Sequence, residues 1–352
     1  MNKYDAIIIG GGHNGLTSAA YLAKAGKKVL VLERRHLVGG AAVTEEIYPG
    51  FKYSVCSYVV SLLRPEVIRE LELPKYDLEI IPLDSTFSPL PDGNYLARWG
   101  DHAKTRREIA RHSITDADAY EQYGQLMVQM AMAVKPLLGT IPPKPTSWNP
   151  KELFGLASVG NHFRRLGEKL LYDLTKLMTM SSADFLDEWF ETEVLKATMS
   201  ASGIIGTFMG PRSPGTAYVL LHHYMGELDG AFRSWGFARG GMGTISRVIA
   251  DAARHFGAEI RTSAAVDYVL IKNGRAALVQ LCVIGFVDLL VTILAVGPVG
   301  VASHTHCGVV CAGAPETAKR DSEDPGAVEP RHLGDMAGQF DATTDLANYR
   351  RG

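Results

Sequence analysis

Three glycines near the start of the chain have the spacing of a loop that holds phosphates. Gly10, Gly12 and Gly15 fit the pattern G-x-G-x-x-G within the stretch IIIGGGHNGL. In such a loop the first glycine permits a tight turn, the second lets the backbone approach a pyrophosphate, and the third allows a helix to pack closely on a strand. Glu33 follows at the distance expected for an acid that binds ribose hydroxyls. These residue types together predict a dinucleotide site.

The same stretch contains the elements that would position these residues. Residues 4–9, which are mainly apolar and end in three isoleucines, predict a buried strand, because buried parallel strands are rich in aliphatic residues. Apolar residues then recur at helical spacing up to Gly26, and residues 29–32 predict the next strand. Strand, helix and strand in this order form a βαβ unit. Its helix begins at the glycine loop and would present the positive end of its dipole to a phosphate.

The glycine loop is common to NAD and FAD sites, and the stretch after it is more specific. In ERRHLVGGAAVTEEIYPGF, Arg34 follows the acid and a second glycine pair, Gly39 and Gly40, comes a few residues later. Here the sequence resembles the large family of FAD-dependent enzymes with an acid-then-GG signature, which includes amine oxidases and carotenoid desaturases. The resemblance implies FAD as the cofactor. It also implies that Glu33 and Arg34 bind FAD, and that the glycine pair runs close to the pyrophosphate and ribityl region.

Four separate stretches narrow this resemblance. They follow one another along residues 1–276 as GGGHNGL, GFKYSVCSYVVSLLRPEV, PGTAYVLLHHYMGELDG and ARGGMGTISRVIADAARHFGAEI. Together they resemble the phytoene-desaturase-like branch, and within it the pyridine nucleotide-disulphide oxidoreductase domain-containing protein 2 type. This resemblance implies that the segment with Gly241 returns the chain to the flavin and that the strand at Val266 lies near the adenine. No cysteine pair close in sequence accompanies these stretches, and Cys56 is expected to be a small, buried hydrophobic residue.

The expected fold class is α/β. A Rossmann-like FAD-binding domain would be built from residues 1–95 and 236–276, with a largely helical substrate or cap region at 96–235. Helical periodicity lies on both sides of the Pro-rich stretch IPPKPTSWNP, which predicts a linker or exposed loop. Near the end of the domain, Asn273 and Gly274 predict a hairpin.

Residues 277–352 form an atypical tail. In this tail, residues 278–302 are almost wholly apolar, with Asp288 as the only charge. A charge at mid-bilayer costs about 3 kcal/mol, so buried strands or disordered sequence are expected rather than a membrane span. The last fifty or so residues are rich in Ala, Gly, Pro and charge, which favours disorder. We find no glycine-rich segment that would close the flavin-ring half, and expect a truncated chain that binds FAD weakly and turns over poorly.

The tail also contains side chains of the types that bind metals. The stretch HTHCGVVC holds His304, His306, Cys307 and Cys311. The adjacent residues His306 and Cys307 cannot easily both face one ion from a regular element. No metal site is therefore expected.

Catalytic side chains are hard to identify because a flavin itself accepts the hydride while the protein positions the substrate. The best polar cluster consists of His222, His223 and Tyr224, close to Arg212 in a segment that resembles the family. Core or surface histidines are the competing interpretation. We expect an FAD-dependent oxidoreductase that desaturates or otherwise oxidises an apolar small molecule. Two alternatives remain open: a non-catalytic flavin-binding or interaction protein, and an NAD(P)-only dehydrogenase.

The overall composition indicates what kind of protein this is and where it is expected to occur. The chain has 352 residues, of which 46% are hydrophobic and 21% charged, as in soluble globular proteins. Its formal net charge of −2 gives no reason to expect a nucleic-acid partner. Four scattered cysteines favour a reducing compartment, and the early first strand leaves little room for a targeting peptide, so a cytoplasmic location is expected. Peripheral contact with a membrane and the oligomeric state are left open.

Overall fold

The computed structural model describes residues 3–228, 230–272, 275–281, 294–295 and 308–311. In chain order, the strands are β1 (Lys3–Tyr4), β2 (Ala6–Ile9), β3 (Val29–Leu32), β4 (Thr44–Tyr48), β5 (Phe51–Ser54), β6 (Ile80–Pro82), β7 (Ser85–Pro89), β8 (Tyr95–Trp99), β9 (Glu227–Leu228), β10 (Ala231–Phe232), β11 (Gly236–Ala238), β12 (Glu259–Arg261), β13 (Val266–Lys272), β14 (Arg275–Leu281), β15 (Leu294–Ala295) and β16 (Gly308–Cys311).

The helices alternate with these strands at first and then follow one another through the middle of the chain. They are α1 (His13–Lys24), α2 (Pro65–Glu70), α3 (His102–Ala110), α4 (Ile114–Val134), α5 (Pro150–Arg165), α6 (Glu168–Thr179), α7 (Ser182–Asp187), α8 (Glu193–Ser200), α9 (Thr216–His223) and α10 (Gly243–His255), with short 3-10 helices at Leu73–Tyr76, Lys135–Gly139 and Ala201–Gly203.

The chain divides into two compact units. One, which we call the sheet unit, contains residues 1–58, 66–79 and 238–352; the other, the helical unit, contains 59–65 and 80–237. The sequence-based division places residues 80–95 with the FAD-binding segment, whereas the contacts group them with the helices. The reason is local. β8 continues the hairpin from β7, and its last residue, Trp99, is tied to α3 by the Thr105 hydroxyl, which lies 2.8 Å from the Trp99 amide.

The sheet unit is built around four strands in the order β12-β3-β2-β16. The strands β12, β3 and β2 are parallel, with Ile7 opposite Leu30, while β16 pairs antiparallel to β2. Every residue of β3 is buried, as is typical of a parallel strand covered on both faces. The helix α1 connects β2 to β3 and packs against α10. The predicted strand–helix–strand unit and the α/β, Rossmann-like fold class are confirmed.

The predicted hairpin after α10 is also present. β13 and β14 pair antiparallel, with Lys272 opposite Arg275. α10 ends before Gly257, whose φ of 100° is the left-handed conformation that ends many helices. β14 continues to Leu281, past the expected end of the domain at residue 276.

The helical unit has a core of aromatic and sulfur-containing side chains. Tyr123, Met127 and Met130 of α4 are fully buried and belong to one cluster with residues of α6 to α9. Both methionines belong to the Met-rich stretch LMVQMAMAV. α4 is fixed to α8 through Asp116, a fully buried carboxylate that accepts hydrogen bonds from the amide of Glu191 at 2.7 Å and from that of Thr192 at 3.0 Å.

Several expectations for the tail concern residues outside the described part of the chain. His304, His306 and Cys307 lie there, as does most of the apolar run; Cys311 is the last residue of β16. Among the described residues, no group of three or more His, Cys, Asp or Glu could hold a metal ion. No helix in that part of the chain combines the length and apolarity needed to cross a membrane.

Candidate dinucleotide site

The first glycine loop lies where β2 ends and α1 begins. Gly10 has a φ of 101°, which only glycine adopts at little cost. Gly12 is the N-cap of α1; within the described residues, no side chain caps this end, and its first turn contains no acidic residue. Gly15 is buried on the face of α1 that packs inward. The helix therefore offers backbone N–H groups and the positive end of its dipole to an anion.

Glu33 follows β3 and is buried, with an exposed fraction of 7%. Its Oε2 accepts a hydrogen bond from the Gly11 amide at 2.7 Å, and its Oε1 accepts one from the Arg35 amide at 2.9 Å. A carboxylate has about four lone-pair sites, so capacity remains for the two hydroxyls of a ribose. The negative charge also disfavours a ribose that carries a phosphate.

The second glycine pair lies against the first loop. The Gly39 amide donates to the Gly11 carbonyl at 2.9 Å, and Gly12 and Gly39 form a parallel bridge. A Cβ on Gly40 would lie 3.1 Å from the Gly12 Cα, and one on Gly39 would lie 2.6 Å from the Ala42 carbonyl oxygen. We call the surface formed by residues 10–12 and 39–40 the glycine cradle. It consists of backbone without side chains, and larger residues at these positions would fill it.

Gly241 connects this cradle to α10. Its φ is 91°, and a Cβ there would lie 2.4 Å from the Thr44 hydroxyl oxygen. The same hydroxyl accepts a hydrogen bond from the Gly243 amide at 2.9 Å, and the Ser54 hydroxyl accepts one from the Met242 amide at 3.0 Å. The turn before α10 is thus capped by the β4–β5 hairpin.

A serine of α10 completes the connection. The Ser246 hydroxyl is fully buried and donates to the Ala42 carbonyl at 2.8 Å. Together with Gly11 and Thr44, Ser246 holds the site together, and none of these three was predicted. Only Gly11 had a signal in the sequence, as the middle residue of GGG.

Val266 lies at the start of β13, close to the Glu33 segment. Ala264, two residues earlier, donates its amide to the Glu33 carbonyl at 2.8 Å. Val266 is partly buried and packs against the cluster that contains Leu30 and Leu32. Arg34 is exposed. The roles of Arg34, Gly241 and Val266 toward a cofactor stay predictions.

His13, the first residue of α1, lies beside the glycine loop. Burial lowers the pKa of its imidazole, because removing water penalises the charged form. A lowered pKa means that less of the imidazole carries a positive charge beside the helix N-terminus.

The catalytic candidates all lie in the helical unit, at or near α9. His223 is buried, its Nδ1 lies 2.8 Å from the Val219 carbonyl, and its ring stacks on Trp235 with centroids 5.6 Å apart. His222 is partly buried, and burial above all, with the neighbouring His223, lowers the pKa of its imidazole. These are contacts that core histidines make, so a catalytic role for either one stays a prediction.

The other two candidates differ in their surroundings. Tyr224 is buried beneath the guanidinium of Arg233, whose central carbon lies 4.4 Å from the ring centroid, and burial raises the pKa of its phenol. Arg212 is exposed in the loop before α9, at the opposite end of that helix from Tyr224. An eight-residue helix is about 12 Å long. Proximity along α9 therefore does not place Arg212 next to His222, His223 and Tyr224.

The expectation for Cys56 is wrong. Its side chain is an exposed free thiol rather than a buried hydrophobic one. The chain leaves β5 at Ser54 and enters a loop held by the Ser57 amide, which donates to the Ala41 carbonyl at 3.1 Å. Cys56 lies in that loop, outside any core strand.

Comparison with known proteins agrees with this geometry. A family model for an NAD(P)-binding Rossmann-like domain matches residues 8–71. Pyridine nucleotide-disulfide oxidoreductase domain-containing protein 2 of Mus musculus is 40% identical over 290 residues, which cover 78% of this chain and 50% of that protein. The chain is a homologue of that protein. The resemblance seen in the sequence is thereby confirmed.

Further matches extend the comparison. A limonene dehydrogenase subunit from Castellaniella defragrans is 29% identical over 290 residues, covering 81% of this chain and 49% of that protein. The structure of putrescine oxidase bound to putrescine matches with a TM-score of 0.50 and 19% identity, over 84% of this chain and 58% of that one. At that identity the match concerns the fold alone. The chain spans about half the length of the curated relatives it matches.

Proposed function

We propose that this chain binds FAD and acts as an FAD-dependent oxidoreductase, in which the flavin accepts a hydride from an apolar small molecule. The observation that carries the proposal is the backbone contact between the two glycine loops. A loop with Gly10 and Gly12 would suffice for any dinucleotide, whereas Gly39 and Gly40 add a second backbone segment directly against the first. A longer cradle of this kind suits a cofactor that continues past its pyrophosphate into a ribityl chain.

The residues of the cradle have distinct roles in this proposal. The amides at the start of α1 hold the pyrophosphate, and Glu33 accepts hydrogen bonds from the ribose hydroxyls. When bound, FAD supplies the hydride acceptor. His222, His223, Tyr224 and Arg212 remain the predicted candidates for contact with the substrate.

An apolar substrate is supported by one of the relatives. The Castellaniella protein is named for limonene, a hydrocarbon without a charged or hydrogen-bonding group. Dehydrogenation of such a molecule needs exclusion of water and correct orientation more than polar recognition.

Titration with FAD tests the binding part of the proposal. We expect the purified protein to bind added FAD saturably but weakly, and Glu33→Gln to weaken binding about tenfold further, because the charge on a ribose acceptor is lost. Glu46→Gln is the matched control, since Glu46 also accepts a backbone N–H, from Gly50 at 2.9 Å, but is exposed on β4. Equal affinity of the two variants for FAD would contradict the assigned role of Glu33.

Anaerobic addition of limonene tests the reaction. Bleaching of the flavin band supports hydride transfer. Bound flavin that no apolar hydrocarbon reduces points to the non-catalytic alternative. Failure to bind FAD, together with binding of NADH, points instead to the NAD(P)-only dehydrogenase.

A further inference from the structure

The helical unit contains a pocket that has no part in the proposed dinucleotide site. It has a volume of about 650 Å³ and is lined mainly by one face each of α3 and α4. Its lining combines positive charge with apolar surface, and the residues that matter here are His102, Ala117, Tyr120, Gly124, Val128 and Arg233.

Arg233 is held in place at this pocket. It follows β10 with a φ of 63°, a left-handed conformation that costs a residue other than glycine about 1–3 kcal/mol. Its amide donates to the Gly226 carbonyl at 2.7 Å, and its guanidinium lies over the ring of Tyr224 at 4.4 Å. Backbone and side chain are therefore both fixed before any ligand arrives.

The charge of Arg233 has no counter-ion among the described residues. The second guanidinium of the lining, that of Arg106, is paired with Asp118. Glu121 also lines the pocket, but it is exposed and accepts a hydrogen bond from Gln125 at 3.4 Å. A half-buried cation without a partner is unfavourable, and an anion in the pocket would offset that cost.

A buried polar cluster around Tyr224 lies against the Arg233 guanidinium. Within the described part of the chain, Arg98 Nε is buried and makes no hydrogen bond. The Tyr123 ring lies edge-on to Tyr224 with centroids 6.2 Å apart, and Arg98 acts electrostatically on the Tyr224 phenol. Such unsatisfied groups are rare in native proteins and accompany strained or functional sites.

Gly124 leaves the space beside the guanidinium. It lies inside α4, where glycine costs about 1 kcal/mol relative to alanine. A Cβ there would lie 3.7 Å from Arg233 Nη1 and 3.9 Å from His102 Cε1, both ordinary contacts. A larger side chain would occupy the volume that an anion needs, while the fold itself has room for the first carbon.

We infer that this pocket binds the carboxylate of a small amphiphilic acid, with the carboxylate on the Arg233 guanidinium and the apolar chain along Ala117, Tyr120 and Val128. The planar fork of arginine matches a carboxylate through two parallel hydrogen bonds. The inference concerns the helical unit alone and goes beyond the proposed flavin chemistry. Its test therefore needs no FAD.

Titration of the full chain with hexanoate, followed by intrinsic fluorescence and by thermal shift, tests the inference. We expect saturable binding of hexanoate and no comparable binding of hexan-1-ol or hexylammonium at equal ionic strength. Arg233→Met should weaken hexanoate binding about tenfold or more, because a charge-assisted pair is lost. Arg165→Met, the same substitution at an exposed arginine of α5, is the matched control and should leave the affinity unchanged.

Gly124→Leu provides a second variant in case Arg233→Met fails to fold. It keeps the arginine and fills the pocket, so we expect an unchanged far-UV circular dichroism spectrum and no hexanoate binding. Three results would overturn the inference: no saturable binding of hexanoate, equal affinity of the Arg233→Met and Arg165→Met proteins, or binding of inorganic phosphate as tight as that of hexanoate, which would leave no role for the apolar chain.

Discussion

The candidate site of the sheet unit is formed mainly by backbone atoms, whereas the pocket of the helical unit is formed mainly by side chains. In the sheet unit, Gly12, Gly39 and Gly40 bring chain segments without side chains together, and Glu33 is the side chain that we propose for cofactor binding. In the helical unit the pocket is lined mainly by side chains, such as those of His102, Tyr120 and Arg233. A backbone site needs glycine at fixed spacing, whereas a side-chain site needs only that distant residues meet.

The largest expected change in the free energy of unfolding is in the helical unit, at the buried carboxylate of Asp116, which connects α4 to the start of α8. Asp116→Ala should lower the free energy of unfolding by about 3–5 kcal/mol, because the amides of Glu191 and Thr192 lose their acceptor. Asp118→Ala, at an exposed carboxylate paired with Arg106, should cost less than about 1 kcal/mol. Urea denaturation of the two variants measures the difference. Similar midpoints would mean that Asp116 does not connect α4 to α8.

A smaller effect is expected at the glycine cradle of the sheet unit. Gly39→Ala and Gly26→Ala both place a Cβ at a positive φ, with φ values of 140° and 76°. At Gly26 nothing lies within 4 Å of that Cβ, while at Gly39 the Ala42 carbonyl oxygen lies 2.6 Å away. Gly39→Ala should therefore be less stable than Gly26→Ala by about 1–3 kcal/mol and should bind FAD more weakly. If the two variants unfold at the same urea concentration, the loop around Gly39 adapts and the cradle is not rigid.

A third contrast compares two buried tyrosines, one in each unit, and includes the smallest single change that we expect. The Tyr4 hydroxyl donates to Glu259, so Tyr4→Phe should cost about 1.5–3 kcal/mol. The Tyr123 hydroxyl has only the neutral Tyr224 phenol beside it, so Tyr123→Phe should change the free energy of unfolding by less than about 1 kcal/mol. Thermal or urea unfolding of both variants measures this contrast. An equal loss for the two variants would show that the contact between the two neutral phenols stabilises the fold as much as the hydrogen bond to the Glu259 carboxylate.

Much of the sheet unit was predictable from the sequence because its determinants are local. The aliphatic runs of β2 and β3, the small residues of α1 and the turn at Gly26 follow one another within about thirty residues, so periodicity alone indicates their order. The residues that hold the cradle together were not predictable. Thr44 and Ser246 meet the glycine loops only because α10 packs on α1 and the β4–β5 hairpin reaches the turn before α10.

By itself, the sequence determined which backbone positions must be bare and which acid ends the second strand of the βαβ unit, because φ angles and short spacings are properties of local chain segments. Only the tertiary structure decided that Cys56 is exposed, that residues 80–95 join the helices, and that Arg233 lies on Tyr224 beside Gly124. Arg233 and Gly124 are more than a hundred residues apart, and no spacing rule connects them. Their contact depends on how α4 packs against the segment after β10, which is set by the whole core of the unit.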